Sequence, residues 1–182
     1  MNQSTQTTAY IALFVALTAI CSWIMIPSPV PFTLQTFAVF LTCFLLGGKI
    51  GSITIIAYIV LGAAGLPVFS GFRGGFGALL GPTGGYIIGF VFSALVIWLI
   101  TSVFGKNIYV YIISAIPALL VCYAFGTAWY VLIYTKSTET ISIISVLSMC
   151  VIPYIIPDII KICLAVFLSS SLKKRLPKEY FV

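Results

Sequence analysis

Asp158 and Lys161 stand three residues apart near the start of the final apolar helix. That spacing brings a carboxylate and an ammonium to one helical face, close enough to interact. Each charged group costs about 2.5–3.5 kcal/mol at the centre of a bilayer and less near its edge, so both need compensation. Two arrangements supply it: an internal salt bridge that locks helices together, or a cavity in which a small polar ligand or an ion completes the pair. Pro157, directly before the carboxylate, is read as a helix start whose free amides and positive dipole end hold Asp158 ionised. Arg73, in a glycine-rich stretch, is a third charge expected on the same side.

The remaining composition excludes most catalytic chemistry. The chain of 182 residues has no histidine, and its carboxylates are Glu139, Asp158 and Glu179. A metalloprotease or a carboxylate-dyad hydrolase needs ligands or acid–base groups beyond these. The expectation is no enzyme, no metal and no cofactor. Cys21, Cys43, Cys122, Cys150 and Cys163 lie inside apolar runs without a CxxC pair and read as small buried hydrophobes.

The elements that must position the charged pair are membrane helices. Hydrophobic residues make up 62% and charged residues 7% of the chain, against about 25% charged in soluble domains, so the surface has too little charge for water. The apolar runs predict an all-α, six-helix integral membrane bundle in one domain, residues 1–182. Its spans are expected at about 9–26, 32–47, 50–66, 84–104, 107–134 and 143–172. Ser28-Pro29-Val30-Pro31 breaks the first helix from the second, and Gly47-Gly48-Lys49 reads as a tight turn between two short ones. The last span is expected to kink at Pro153 and Pro157, with its continuous helix beginning near Pro157.

Six spans put both termini on one side. That side carries Lys49, Lys106, Lys173, Lys174, Arg175 and Lys178, against Arg73 and Lys136 on the other. The excess predicts cytoplasmic termini, and the location follows as a multi-pass protein of a bacterial plasma membrane. The net charge of +6 is thus an orientation signal, with the 173–178 cluster drawn to anionic membrane lipid rather than to nucleic acid.

Between the third and fourth helices runs a glycine-rich outer loop, Pro67 to Tyr86, with seven glycines and with Phe69, Phe72 and Phe76 interleaved. Such a loop suits an aromatic lid over a ligand, or a plain re-entrant connection at the interface. Thr33, Gln35, Tyr86 and Phe72 are further candidates to touch a ligand. On the first span, Ala12 and Ala16 form a small-xxx-small pair that lets another helix approach closely.

Gly81-Pro82-Thr83-Gly84-Gly85-Tyr86-Ile87-Ile88-Gly89-Phe90 and Pro157-Asp158-Ile159-Ile160-Lys161 carry a resemblance that runs along nearly the whole chain. The sequence resembles the BioY family, the biotin-specific substrate-binding (S) components of energy-coupling factor (ECF) transporters. The resemblance implies a six-helix bundle that captures biotin outside. It also implies toppling within the membrane when coupled to a transmembrane coupling (T) subunit and two ABC-type ATPases. Ala12 and Ala16 then look like the AxxxA motif that docks onto the T subunit. Arg73-Gly74-Gly75 matches the family's basic residue before a glycine pair, so either Arg73 or Lys161 would meet the ligand carboxylate. Apart from the resemblance, a small ion- or proton-coupled channel or exchanger titrating at Asp158 is the alternative, and a purely structural assembly subunit is a third.

Overall fold

A computed structural model describes residues 3–28, 30–135 and 143–175. Lys136, Glu139, Lys178 and Glu179 lie outside the described residues. Helices run at α1 (Gln3–Trp23), α2 (Gln35–Ala63), α3 (Phe76–Leu79), α4 (Gly84–Phe104), α5 (Ile108–Thr135), α6 (Ile143–Cys150) and α7 (Ile152–Arg175). Five stretches, 5–23, 35–63, 84–104, 108–133 and 143–175, are long and apolar enough to cross a membrane.

The α2 stretch makes two passes. Gly47 takes φ 80° and ψ 159°, a left-handed conformation open to glycine, and the chain reverses there. Two contacts prove the reversal. A Cβ on Gly51 would lie 2.8 Å from the Cα of Cys43. Gln35 Nε2 donates to Tyr58 Oη at 2.9 Å, although a straight helix would separate residues 35 and 58 by about 34 Å. The result is six passes built around the α2 hairpin, which packs against α1, α4 and α7, while α4 pairs with α5.

The pattern is apolar outside and partly polar inside. Leu13, Leu99, Val103, Ile113, Leu132 and Phe167 are exposed, whereas Thr18, Thr42, Ser93, Ser114 and Ser169 are buried. The buried hydroxyls return to their own helices: Thr18 Oγ1 donates to the Phe14 carbonyl at 2.7 Å and Thr42 Oγ1 to that of Ala38 at 2.6 Å. Ser93 Oγ also donates across to the Ala118 carbonyl at 2.7 Å, joining α4 to α5. In lipid such bonds avoid unsatisfied polar groups, and apolar side chains outside cost nothing.

The first arm of α2, residues 35–46, rises only about 18 Å, well under the roughly 30 Å of a bilayer core. The space above its N-terminus is closed by a short hairpin, β1 (Met25–Ile26) paired antiparallel with β2 (Phe32–Thr33). Helix α1 therefore ends at Trp23, short of the expected Ile26, because the backbone of residues 25 and 26 pairs with the returning strand.

Helix α7 begins at Ile152, not near Pro157 as expected. Pro153 occupies its first turn, where a missing amide is harmless, and Pro157 lies inside the helix. Asp158 is consequently beyond the first turn, and the helix-end dipole invoked for it does not act there.

Candidate functional site

Helix α7 presents Tyr154, Asp158 and Lys161 as one stripe, at spacings of four and three, toward the space above the short α2 arm. A partly open cavity lies there. Its wall includes Val30, Pro31 and Thr33 from the hairpin region, Gln35 and Thr36 from α2, Tyr86 and Phe90 from α4, and Tyr123 from α5.

Asp158 and Lys161 are 4% and 5% exposed, and Lys161 Nζ donates to Asp158 Oδ1 at 2.8 Å. Tyr123 Oη donates to Asp158 Oδ2 at 2.7 Å. The Lys161 ammonium also stands 3.8 Å from the centroid of the Phe32 ring, a cation–π contact. The pair is thus compensated without ligand, yet neither group is saturated. Each carboxylate oxygen has a second lone pair, and the ammonium has three donors. The cavity next to them leaves those positions available to a guest.

The neighbouring polar groups are held in place. Thr33 Oγ1 accepts from the Gln35 amide at 3.2 Å, and Tyr58 Oη, which accepts from Gln35, donates to the Val68 carbonyl at 2.8 Å. Tyr86 Oη donates to the Cys150 carbonyl at 3.3 Å. The Tyr86 ring lies where a side chain on Gly126 would be: a Cβ there would come within 2.2 Å of it. Tyr154 Oη donates to the Val30 carbonyl and lies 2.9 Å from Ser28 Oγ, tying the hairpin to α7.

Of the residues singled out from the sequence, the structure brings Asp158, Lys161, Tyr86, Gln35 and Thr33 to one cavity. Arg73 and Phe72 are not among its lining residues. Arg73 is exposed, with Nε donating to the Ser70 carbonyl at 3.0 Å, and Phe72 stacks outward on Trp23 with ring centroids 4.9 Å apart. The glycine-rich loop contributes Ser70 and Thr83 instead. Its Phe69 is fully buried against Tyr58, and Phe76 is exposed, so the three phenylalanines do not form a lid over this cavity. On that side the wall comes from Val30, Pro31 and Thr33 beside the β1–β2 pair, a region the sequence shows only as a helix break. Tyr154 was legible one turn before Asp158; Tyr123, on another helix, carries no such signal.

Ala12 and Ala16 are not among the lining residues of this cavity: both are exposed on α1, beside exposed Leu13 and Ile20. The face is open to another helix.

Comparison with known proteins gives a consistent result. The family model described as "BioY family" matches residues 1–178. A biotin transporter BioY of Thermotoga maritima is 39% identical over 163 residues, 89% of this chain and 92% of that protein. A probable biotin transporter BioY of Pyrococcus horikoshii is likewise 39% identical, covering 90% and 93%. The crystal structure of the S-component for biotin from an ECF-type ABC transporter superposes with a TM-score of 0.82 at 30% identity, covering 100% of this chain and 98% of that one.

Proposed function

The chain belongs to the BioY family, and from that membership and the charged cavity we propose that it is the biotin-capturing S component of an ECF-type vitamin transporter. The observation that carries the assignment is the buried Asp158–Lys161 pair facing a cavity lined by both polar and aromatic side chains, the make-up of a small-molecule site. Biotin combines a cyclic urea, an apolar bicycle and a valerate carboxylate. Asp158 accepts the ureido N–H groups through its free lone pairs. Lys161 donates to the ligand carboxylate or the urea oxygen, and Tyr86, Phe90, Tyr123 and Tyr154 enclose the rings. Nanomolar capture needs about 12 kcal/mol, which a small ligand reaches when most of its atoms are buried in a preformed site.

The cavity end faces outward. The opposite end holds Lys49, Lys106 and the Lys173–Arg175 run, a cation excess that supports a cytoplasmic location for that end. Between the two ends the core contains Val39, Phe40, Phe44 and Ile97, an apolar plug that an ion path would have to cross. Release inside therefore depends on movement of the whole subunit with its partners, the T subunit and two ATPases. The exposed Ala12 and Ala16 pair on α1 is the docking face for the T subunit.

Titration of the detergent-purified protein with radiolabelled biotin tests the assignment. Saturable binding is expected, weakened about tenfold or more in Asp158→Asn, the equivalent of about 1.4 kcal/mol. No binding to the wild-type protein would end the assignment.

A further inference from the structure

At the end opposite the biotin cavity, the α2 turn and the close of α4 frame a second, open concavity of about 330 Å³. Its wall includes Gly47, Gly48, Lys49, Trp98, Ser102 and Lys106. The floor is tight because a Cβ on Gly48 would sit 2.2 Å from the Trp98 Cα, so backbone meets backbone there. Both lysines are exposed. Lys173 converges on the same end of the bundle: its Nζ donates to Tyr111 Oη at 2.7 Å, in the first turn of α5, and its charge and that of Lys106 repel. Among the described residues this end carries Lys49, Lys106, Lys173, Lys174 and Arg175, so an anion approaching it is attracted.

We propose that the cleft of Lys49, Trp98 and Lys106 binds a phosphate group, supplied by an anionic phospholipid of the inner leaflet. The ammonium groups act as point charges on phosphate oxygens. The source is an amphiphile because the cleft is not wholly polar. Leu46 and Ile50 line it beside the Trp98 indole, and the preceding turns of α4, toward the middle of the membrane, expose Leu95 and Phe92 along the surface that acyl chains would follow. Tryptophan and lysine at a helix end match the depth of lipid headgroups. The placement in the inner leaflet rests on the orientation proposed above; the phosphate chemistry does not. The site goes beyond vitamin capture, since it lies at the far end of the molecule.

The test is native mass spectrometry of the delipidated protein in detergent doped with equal phosphatidylglycerol or phosphatidylcholine. The wild-type protein is expected to retain phosphatidylglycerol about fivefold over phosphatidylcholine, and K49Q/K106Q to lose most of that preference while K49R/K106R keeps it. Biotin binding by each variant, expected within about twofold of wild type, reports that the fold is intact, and the single variants K49Q and K106Q give the same reading with a smaller change. Equal retention of the two lipids, or undiminished phosphatidylglycerol on K49Q/K106Q, would overturn the proposal. Displacement of the lipid by millimolar inorganic phosphate would overturn the lipid source and assign the cleft to soluble phosphate. Persistence of the adduct under that challenge supports the phospholipid.

Discussion

The phenol of Tyr123 on α5 holds Asp158 Oδ2 on α7 at 2.7 Å, while Lys161 holds the other carboxylate oxygen at 2.8 Å. The carboxylate is therefore oriented from two helices before any ligand arrives, and its remaining lone pairs are aimed by that grip. Preorganisation of this kind lowers what a ligand must spend on ordering the site.

Tyr123→Phe removes the phenol donor and leaves the ring in place. A hydrogen bond to a charged group contributes about 1.5–3 kcal/mol, so biotin affinity measured by calorimetry should fall about tenfold or more. Thermal unfolding in detergent should change far less than it does for loss of the charge partner. Unchanged affinity would show that Tyr123 does not position the carboxylate for ligand.

Loss of either charge should be costly in a way that loss of both is not. Lys161→Met or Asp158→Asn leaves one buried charge without its partner, at about 3–5 kcal/mol of stability. The double variant D158N/K161M should recover most of the thermal stability and still fail to bind biotin. Biotin binding by the double variant would reduce the pair to a structural lock.

Gly126→Val places a side chain into the Tyr86 ring, since even its Cβ would lie only 2.2 Å away. The ring must move toward the cavity or α4 must separate from α5. Biotin affinity should drop about tenfold, or about 1.4 kcal/mol, with helical content by circular dichroism retained. Wild-type affinity would show that the Tyr86 position is immaterial to binding.

Arg73→Gln should alter biotin affinity by less than about twofold, because exposed groups away from a site change free energies by about 0.5 kcal/mol or less. A tenfold loss would instead bring Arg73 to the ligand and require the outer loop to move on binding.

Ala12→Trp fills the approach that a small-xxx-small pair permits. Biotin binding to the isolated subunit should stay within about twofold, while uptake by cells supplying the T subunit and ATPases should disappear. Unimpaired uptake would remove α1 from the docking face.

The sequence by itself determined the solvent and the chemistry. So little charge on so apolar a chain leaves only a bilayer, and two charges at helical spacing within the last apolar run must share a face, because the α-helix repeat imposes it. Tyr154 shares that face for the same reason. Tertiary structure alone decided which residues from other elements come to meet the face. Arg73 and Phe72 have the right chemistry, yet their loop hangs from Trp23 and Ser22 of α1 through Pro67 and Val68 and keeps them outside. The β1–β2 pair and Val30 supply the wall there because the short α2 arm leaves room above it and Tyr154 binds Val30. Tyr123 reaches Asp158 across 35 positions of chain. Local spacing specifies what one helix presents, whereas the gap between helices depends on where each stops and how closely glycines such as Gly126 let them pack, and no periodicity encodes that distance.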